Sequence, residues 1–232
     1  MANTVTNQNK PSGLTPVRYL NGADWTGQSN IYFVPYTDTN AYWPGDLVAP
    51  LAGADQWSGL QTCTLATTSS ALCLGVVIGI GATGSETQSR RGGPFIDPTN
   101  LNIVNAPATK TQNYFLQVVD DPNVLYEIQE TGAGTTAATS LTYTATSSLA
   151  SFVYGAPAAG VNVSGTTLDN GVSSGHTPEL GTTVTNGYFL RMMGLAQKID
   201  PQTAQYNTYG LYAKWIVKLN NHVYGVATGT GY

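Results

Sequence analysis

A chain of 232 residues is long enough to bury a sizeable core as one all-β domain, so length does not call for a second. Charged residues make up 9% of it, against roughly 25% in an average soluble domain, which leaves hydroxyl, amide and backbone groups to cover the surface and little charge repulsion to oppose association. With a formal charge of −4 and a pI near 4.9, nothing in the linear sequence forms the basic stripe that a nucleic-acid partner needs.

Residues 1–13 are polar and unpatterned, which predicts a flexible N-terminal arm; they lack the apolar stretch of a signal peptide. Residues 14–232 read as a single β-rich domain. Asn21-Gly22 is a turn signal, Ile31 to Val34 a strand, and Trp43-Pro44-Gly45-Asp46 a tight turn leading into Leu47-Val48. Aromatic residues crowd this third of the chain, among them Trp25, Trp43 and Trp57. Most are expected in the core and in cross-strand pairs, the other reading being a sugar-stacking platform or an interface patch. Leu60 to Ile80 is expected to be a hairpin ending in the apolar strand Leu74 to Ile78. A three-residue loop centred on Thr68 would set Cys63 opposite Cys73, within disulfide reach, although a reducing cytosol would leave both as thiols.

The span 85–107, with Pro94, Pro98 and Pro107, is loop-rich. Asn113 to Gln129 gives the clearest pattern. Two alternating runs flank Asp121-Pro122-Asn123, which predicts a hairpin. Residues 130–186 form a Thr/Ser-rich excursion with too little apolar content for a core of its own. In the final block, Leu211, Ala213, Trp215 and Val217 alternate with Tyr212, Lys214, Ile216 and Lys218 as in a strand with one wet face. Turn signals recur every eight to twelve residues or so, and sustained helical stripes are absent. The fold class expected is therefore all-β, a β-sandwich or β-barrel with long irregular loops and an extended N-terminal arm.

Motifs for chemistry fail on context. Gly79-Ile-Gly81-Ala-Thr-Gly84 fits a dinucleotide fingerprint, but Gly92-Gly93-Pro94 ends the segment where a phosphate-facing helix is needed. Gly171-Val-Ser173-Ser-Gly175, next to His176, lacks the strand and helix of a nucleophile elbow. Asp120-Asp121 is explained by turn geometry, and the two His and two Cys residues have no metal-ligand spacing. No catalytic residue, metal or cofactor is expected. The longest apolar run, Leu72 to Ala82, is too short and too glycine-broken to span a membrane as a helix.

Several stretches together resemble the accessory head proteins of tailed bacteriophages: Pro16-Val-Arg-Tyr-Leu-Asn-Gly22, Gly45-Asp-Leu-Val48, Leu74-Gly-Val-Val-Ile-Gly79, the Asp-Asp-Pro-Asn turn before Glu127-Ile-Gln129, Leu190-Arg191 and Trp215 to His222. The resemblance implies a non-enzymatic cement or decoration protein, often homotrimeric, made in the host cytoplasm and bound to the major capsid protein on the outside of the virion shell. The candidate interface residues on this reading are Arg18, Tyr19, Trp25, Trp43, Trp57, Arg191 and His222. The alternative is a carbohydrate-binding virion or tail component that uses exposed Trp and Tyr side chains.

Overall fold

The computed structural model describes residues 7, 12–66, 72–82, 105–130, 149–150, 152–153, 167–168, 190–199, 205–210 and 212–225. These are all β and connecting loop, with no helix among them. Five strands close a barrel: β2 (Asn30–Val34), β3 (Leu47–Ala54), β4 (Gln61–Leu65), β5 (Gly75–Ala82) and β6 (Tyr114–Val119), in the order β2-β4-β3-β5-β6. The β2–β4 contact is parallel, with Phe33 opposite Thr62, and every other pairing in the barrel is antiparallel. Register shifts between Pro50 and Ala54 and between Val77 and Gly79 bend β3 and β5, as closure of so small a barrel requires.

A second layer packs on the barrel. Its sheet runs β1 (Thr15–Tyr19), β7 (Val124–Gln129), β12 (Lys214–Leu219), β11 (Leu190–Leu195), β8 (Leu149–Ala150). A separate ribbon pairs β9 (Phe152–Val153) with β10 (Thr167–Leu168). The alternation seen in the sequence decides which faces meet. Cross-strand pairing aligns Ile128 with Trp215 and Leu195, then Tyr126 with Val217 and Met192, and these rows pack on Leu47, Val76 and Val119 of the barrel wall. The barrel interior is a distinct cluster around Val34, Tyr42, Val48, Leu74, Leu116 and Val118.

Two expected hairpins have their strands but not their pairing. The runs around Asp121-Pro122-Asn123 are β6 and β7, and both are buried on both faces. β6 lies between β2 and β5 in the barrel, and β7 between β1 and β12 in the sheet. A strand with two longer ladders available gains more than from its sequence neighbour, so the turn is a corner between layers. Likewise β4 does not pair with β5, because β3 sits between them. The tight Asp55 to Leu60 turn gives β4 its local partner in β3. Cys63 consequently joins the barrel interior and Cys73 the interlayer core, and both are free thiols. β12 begins at Lys214 and not at the expected Leu211; Tyr212, with φ of 61°, breaks the extended backbone before it.

The Trp43 to Asp46 turn forms as the sequence predicts. The Trp43 N–H donates to Asp46 Oδ2 at 2.8 Å, and Gly45 has φ of 96°. A Cβ at Gly45 would lie 2.7 Å from the Ser12 carbonyl oxygen, so only glycine lets residues 12–14 cross this turn and seat Leu14 in the core. Asn7 bonds the Thr208 backbone through both ends of its amide. The rest of the expected arm, and most of the 130–186 excursion, lies outside the described residues. So do Ser173 and His176.

Candidate functional site

Three surface features draw on the residues singled out in the sequence. The first is the β3–β4 hairpin, whose outer half, from Leu51 through Ala54, is exposed. Its tip is ordered by local chemistry. The Asp55 carboxylate accepts from the Ser58 N–H at 2.7 Å and the Ser58 hydroxyl at 2.6 Å, while the Gly59 N–H donates to the Asp55 carbonyl at 2.8 Å. Trp57 stands at this tip with 61% of its surface exposed, and Leu51 is exposed beside the strand's last barrel contacts.

The second feature is the turn that follows β1. The backbones of Arg18 and Asp24 pair in a short antiparallel bridge, the Tyr19 N–H donates to the Ala23 carbonyl, and the Asn21 side chain accepts from the Ala23 N–H. Asn21-Gly22 therefore makes the turn the sequence predicts. Beside it an open groove of about 770 Å³ is lined by Tyr19, Leu20, Asn21, Gln28, Asp121 and Asn123, among others. The Tyr19 hydroxyl donates to Gln28 Oε1 at 2.6 Å, and Asp121 Oδ1 accepts from the Asn123 N–H at 2.8 Å. These bonds hold the walls in place, and Asp121 Oδ2 and the amide nitrogens of Asn21 and Asn123 have no hydrogen-bond partner among the described residues. Trp25 is half-buried against the interlayer core, and its Nε1 is enclosed with no acceptor among the described residues.

The third feature is the outer face of the five-stranded sheet. Pairing places Arg18 opposite Leu125, Leu125 opposite Lys218, and Lys218 opposite Arg191. Directly opposed residues share a face, so Arg18, Lys218 and Arg191 stand in one row although they are far apart in the chain. Arg18 and Arg191 are exposed and Lys218 is half-buried. The sequence shows no basic stripe; strand register makes a short one.

Two polar networks lie inside. The Lys110 ammonium, fully enclosed, donates to Asp38 Oδ1 at 3.1 Å and to the Asp38 carbonyl at 2.7 Å, and rests 5.2 Å from the centre of the Tyr42 ring. At the corner between layers, Asp120 accepts from the Tyr32 hydroxyl at 2.6 Å and from the Asn30 amide, and the Tyr32 hydroxyl lies 3.4 Å from that of Tyr224. Burial, with Asp120 beside it, pushes the Tyr32 phenol far above its ordinary value. The Tyr224 N–H donates to His222 Nδ1 at 3.1 Å, so the imidazole proton sits on Nε2, which is enclosed and makes no well-formed hydrogen bond among the described residues.

The seven residues picked as an interface thus do not converge. Arg18, Tyr19 and Trp25 share one turn region, Arg191 joins Arg18 through Lys218, and Trp57 stands alone on its hairpin. Trp43 is half-buried in its turn. His222 is 1% exposed. It belongs to the corner network and presents no surface. Sequence reasoning missed Lys218, Leu51 and the groove-lining Asp121 and Asn123. The alternation along β12 had put Lys218 on a wet face, but its neighbours become visible only through register. No family model, curated protein or solved structure matches the chain. The described residues hold no cluster of His, Cys, Asp and Glu fit for a metal ion, and no helix long and apolar enough to cross a membrane.

Proposed function

We propose that this protein is a non-enzymatic cement or decoration protein of a tailed-phage virion, made in the host cytoplasm and bound as a homotrimer to the major capsid protein on the outside of the shell. The observation that carries the reading is the ordered β3–β4 hairpin, which holds Trp57 and Leu51 in solvent. Tryptophan is the residue most often found to dominate a protein interface, where its truncation costs about 2 kcal/mol or more. The Asp55 cap orders the tip before contact, so little freedom remains to be lost on docking. Three joined copies share one docking event, which raises effective affinity by about 10² to 10⁴.

The test uses shells assembled without the protein. Purified chain added back should co-sediment with them and raise their resistance to heat, and Trp57→Ala should weaken attachment at least tenfold while leaving the fold intact. Shells that ignore the purified chain, and that are as robust without the protein as with it, refute the proposal. A second reading, carbohydrate binding by a virion or tail component, is favoured by the groove beside Tyr19, whose carboxylate acceptor and amide donors suit sugar hydroxyl groups. Glycan-array binding that is lost in Asp121→Asn would make that reading the leading one.

A further inference from the structure

We infer that the outer face of the five-stranded sheet docks onto carboxylate groups of a partner protein surface, with Arg191 and Lys218 at its centre and Arg18 at its flank. This rests on the shell-docking reading and names the chemistry of the shell surface that is met. Arg191 and Lys218 are directly opposed on adjacent antiparallel strands. Like charges in that position destabilise a sheet. The ion pairs among the described residues join Lys110 to Asp38 and Lys198 to Glu127, and neither relieves the repulsion. Asp24 is paired with Arg18 through a backbone bridge across the turn, which sets an acidic residue at that end of the row, so Arg18 flanks the site. The opposed pair keeps its charges available, and a carboxylate seated between them converts a repulsion into two charge-assisted bonds, one of them open to the two-pronged geometry of a guanidinium.

The shape of the charged strip selects the partner. The next row along the same face carries Glu127, paired with Lys198, and then Ile216, and the row beyond it carries Lys214, which donates to Gln129, so the cations on this face with no ion pair or side-chain hydrogen bond among the described residues lie in one row. From Arg18 to Arg191 the row crosses three strand intervals, about 14 Å at roughly 4.8 Å each. A nucleic acid presents a phosphate charge about every 1.7 Å and would overrun so short a strip onto a chain of net charge −4. Acidic side chains on one face of a strand recur about every 6.8 Å, which lets two or three of them meet the row. Leu125 between Arg18 and Lys218 is buried, so the accessible part of the row is the Arg191 and Lys218 pair, and Met193, exposed on β11, adds the apolar area typical of contact between proteins.

The experiment measures attachment of the full chain to shells lacking it, at 50 and at 500 mM NaCl, for wild type, Arg191→Gln/Lys218→Gln and Trp57→Ala. Wild-type affinity should fall at least tenfold as salt rises. The double variant should bind at least tenfold more weakly at 50 mM and lose most of its salt dependence, while Trp57→Ala keeps that dependence. Circular dichroism checks that each variant is folded, and Arg191→Lys should rescue most of the binding. Attachment that is unchanged by the double variant, or insensitive to salt, overturns this inference and leaves the docking proposal standing. Absence of any attachment overturns both. Attachment lost in Trp57→Ala alone assigns the contact to the hairpin and also overturns the role of the charged row.

Discussion

Acidification from pH 7 to pH 4 should weaken the fold by about 3 kcal/mol through one side chain, His222. Its ring is enclosed, Nδ1 is occupied by the Tyr224 N–H, and Nε2 makes no well-formed hydrogen bond among the described residues. Burial lowers the imidazole from its usual 6.5 to about 4; Asp120, Asp121 and the Leu74 backbone push it up, and Lys218 pushes it further down. Between those two values the unfolded chain binds the proton and the folded chain does not, so stability falls as pH falls. The loss is about 2 kcal/mol at pH 5 and about 3 kcal/mol at pH 4, flattening below the folded-state value. Urea unfolding of wild type and His222→Gln at pH 7, 5.5, 5 and 4 measures it. Glutamine keeps an acceptor for the Tyr224 N–H but cannot take up a proton, so the difference between the two profiles isolates this group from the carboxylates common to both. The gap between the curves should narrow by about 3 kcal/mol from pH 7 to pH 4. Parallel profiles would falsify the buried neutral imidazole.

Lys110→Met strands the Asp38 carboxylate, whose side chain is 9% exposed, beside an apolar group, and should cost about 3 to 5 kcal/mol in denaturant unfolding; a loss below about 1 kcal/mol would show that water reaches the site. Gly75→Ala would place a Cβ 2.2 Å from the Val119 carbonyl oxygen, in the β5–β6 ladder that closes the barrel. A drop of about 1 to 3 kcal/mol or more is expected, read as a lower thermal midpoint. Burial pushes the Cys63 thiol up beyond its ordinary range and that of Cys73 up to about 12, so neither should react with a thiol reagent at pH 8 until the chain unfolds. Rapid labelling of the native protein at either position would contradict their enclosure. Trp57→Ala should shift stability by less than about 0.5 kcal/mol, because the side chain contributes surface and not core.

Local chemistry determined the strands and the turns. Period-two alternation around Trp215 marked the buried face of β12, Asn21-Gly22 and Trp43 to Asp46 form the turns their residue types demand, and the all-β class follows from their spacing. Pairing was a different matter. The runs either side of Asp121-Pro122-Asn123 read as one hairpin, yet they belong to different layers, because each finds two longer ladders elsewhere and both of its faces are buried. The same competition put β3 between β4 and β5 and separated the two cysteines.

The candidate surface divides along the same line. Trp57 was named as a candidate contact by residue type alone, within a group of aromatics expected mostly in the core, and its exposure follows from the Asp55-capped tip. His222 was picked as a surface contact and is enclosed, because the segment after β12 folds back against Cys73, with backbone bonds to and from that residue. Arg18 and Arg191 are 173 positions apart by their numbers, and nothing in their local sequence relates them. Only the antiparallel register of β1, β7, β12 and β11 brings them to one row with Lys218, since which residues lie opposite each other depends on pairings that a chain read in one dimension does not contain.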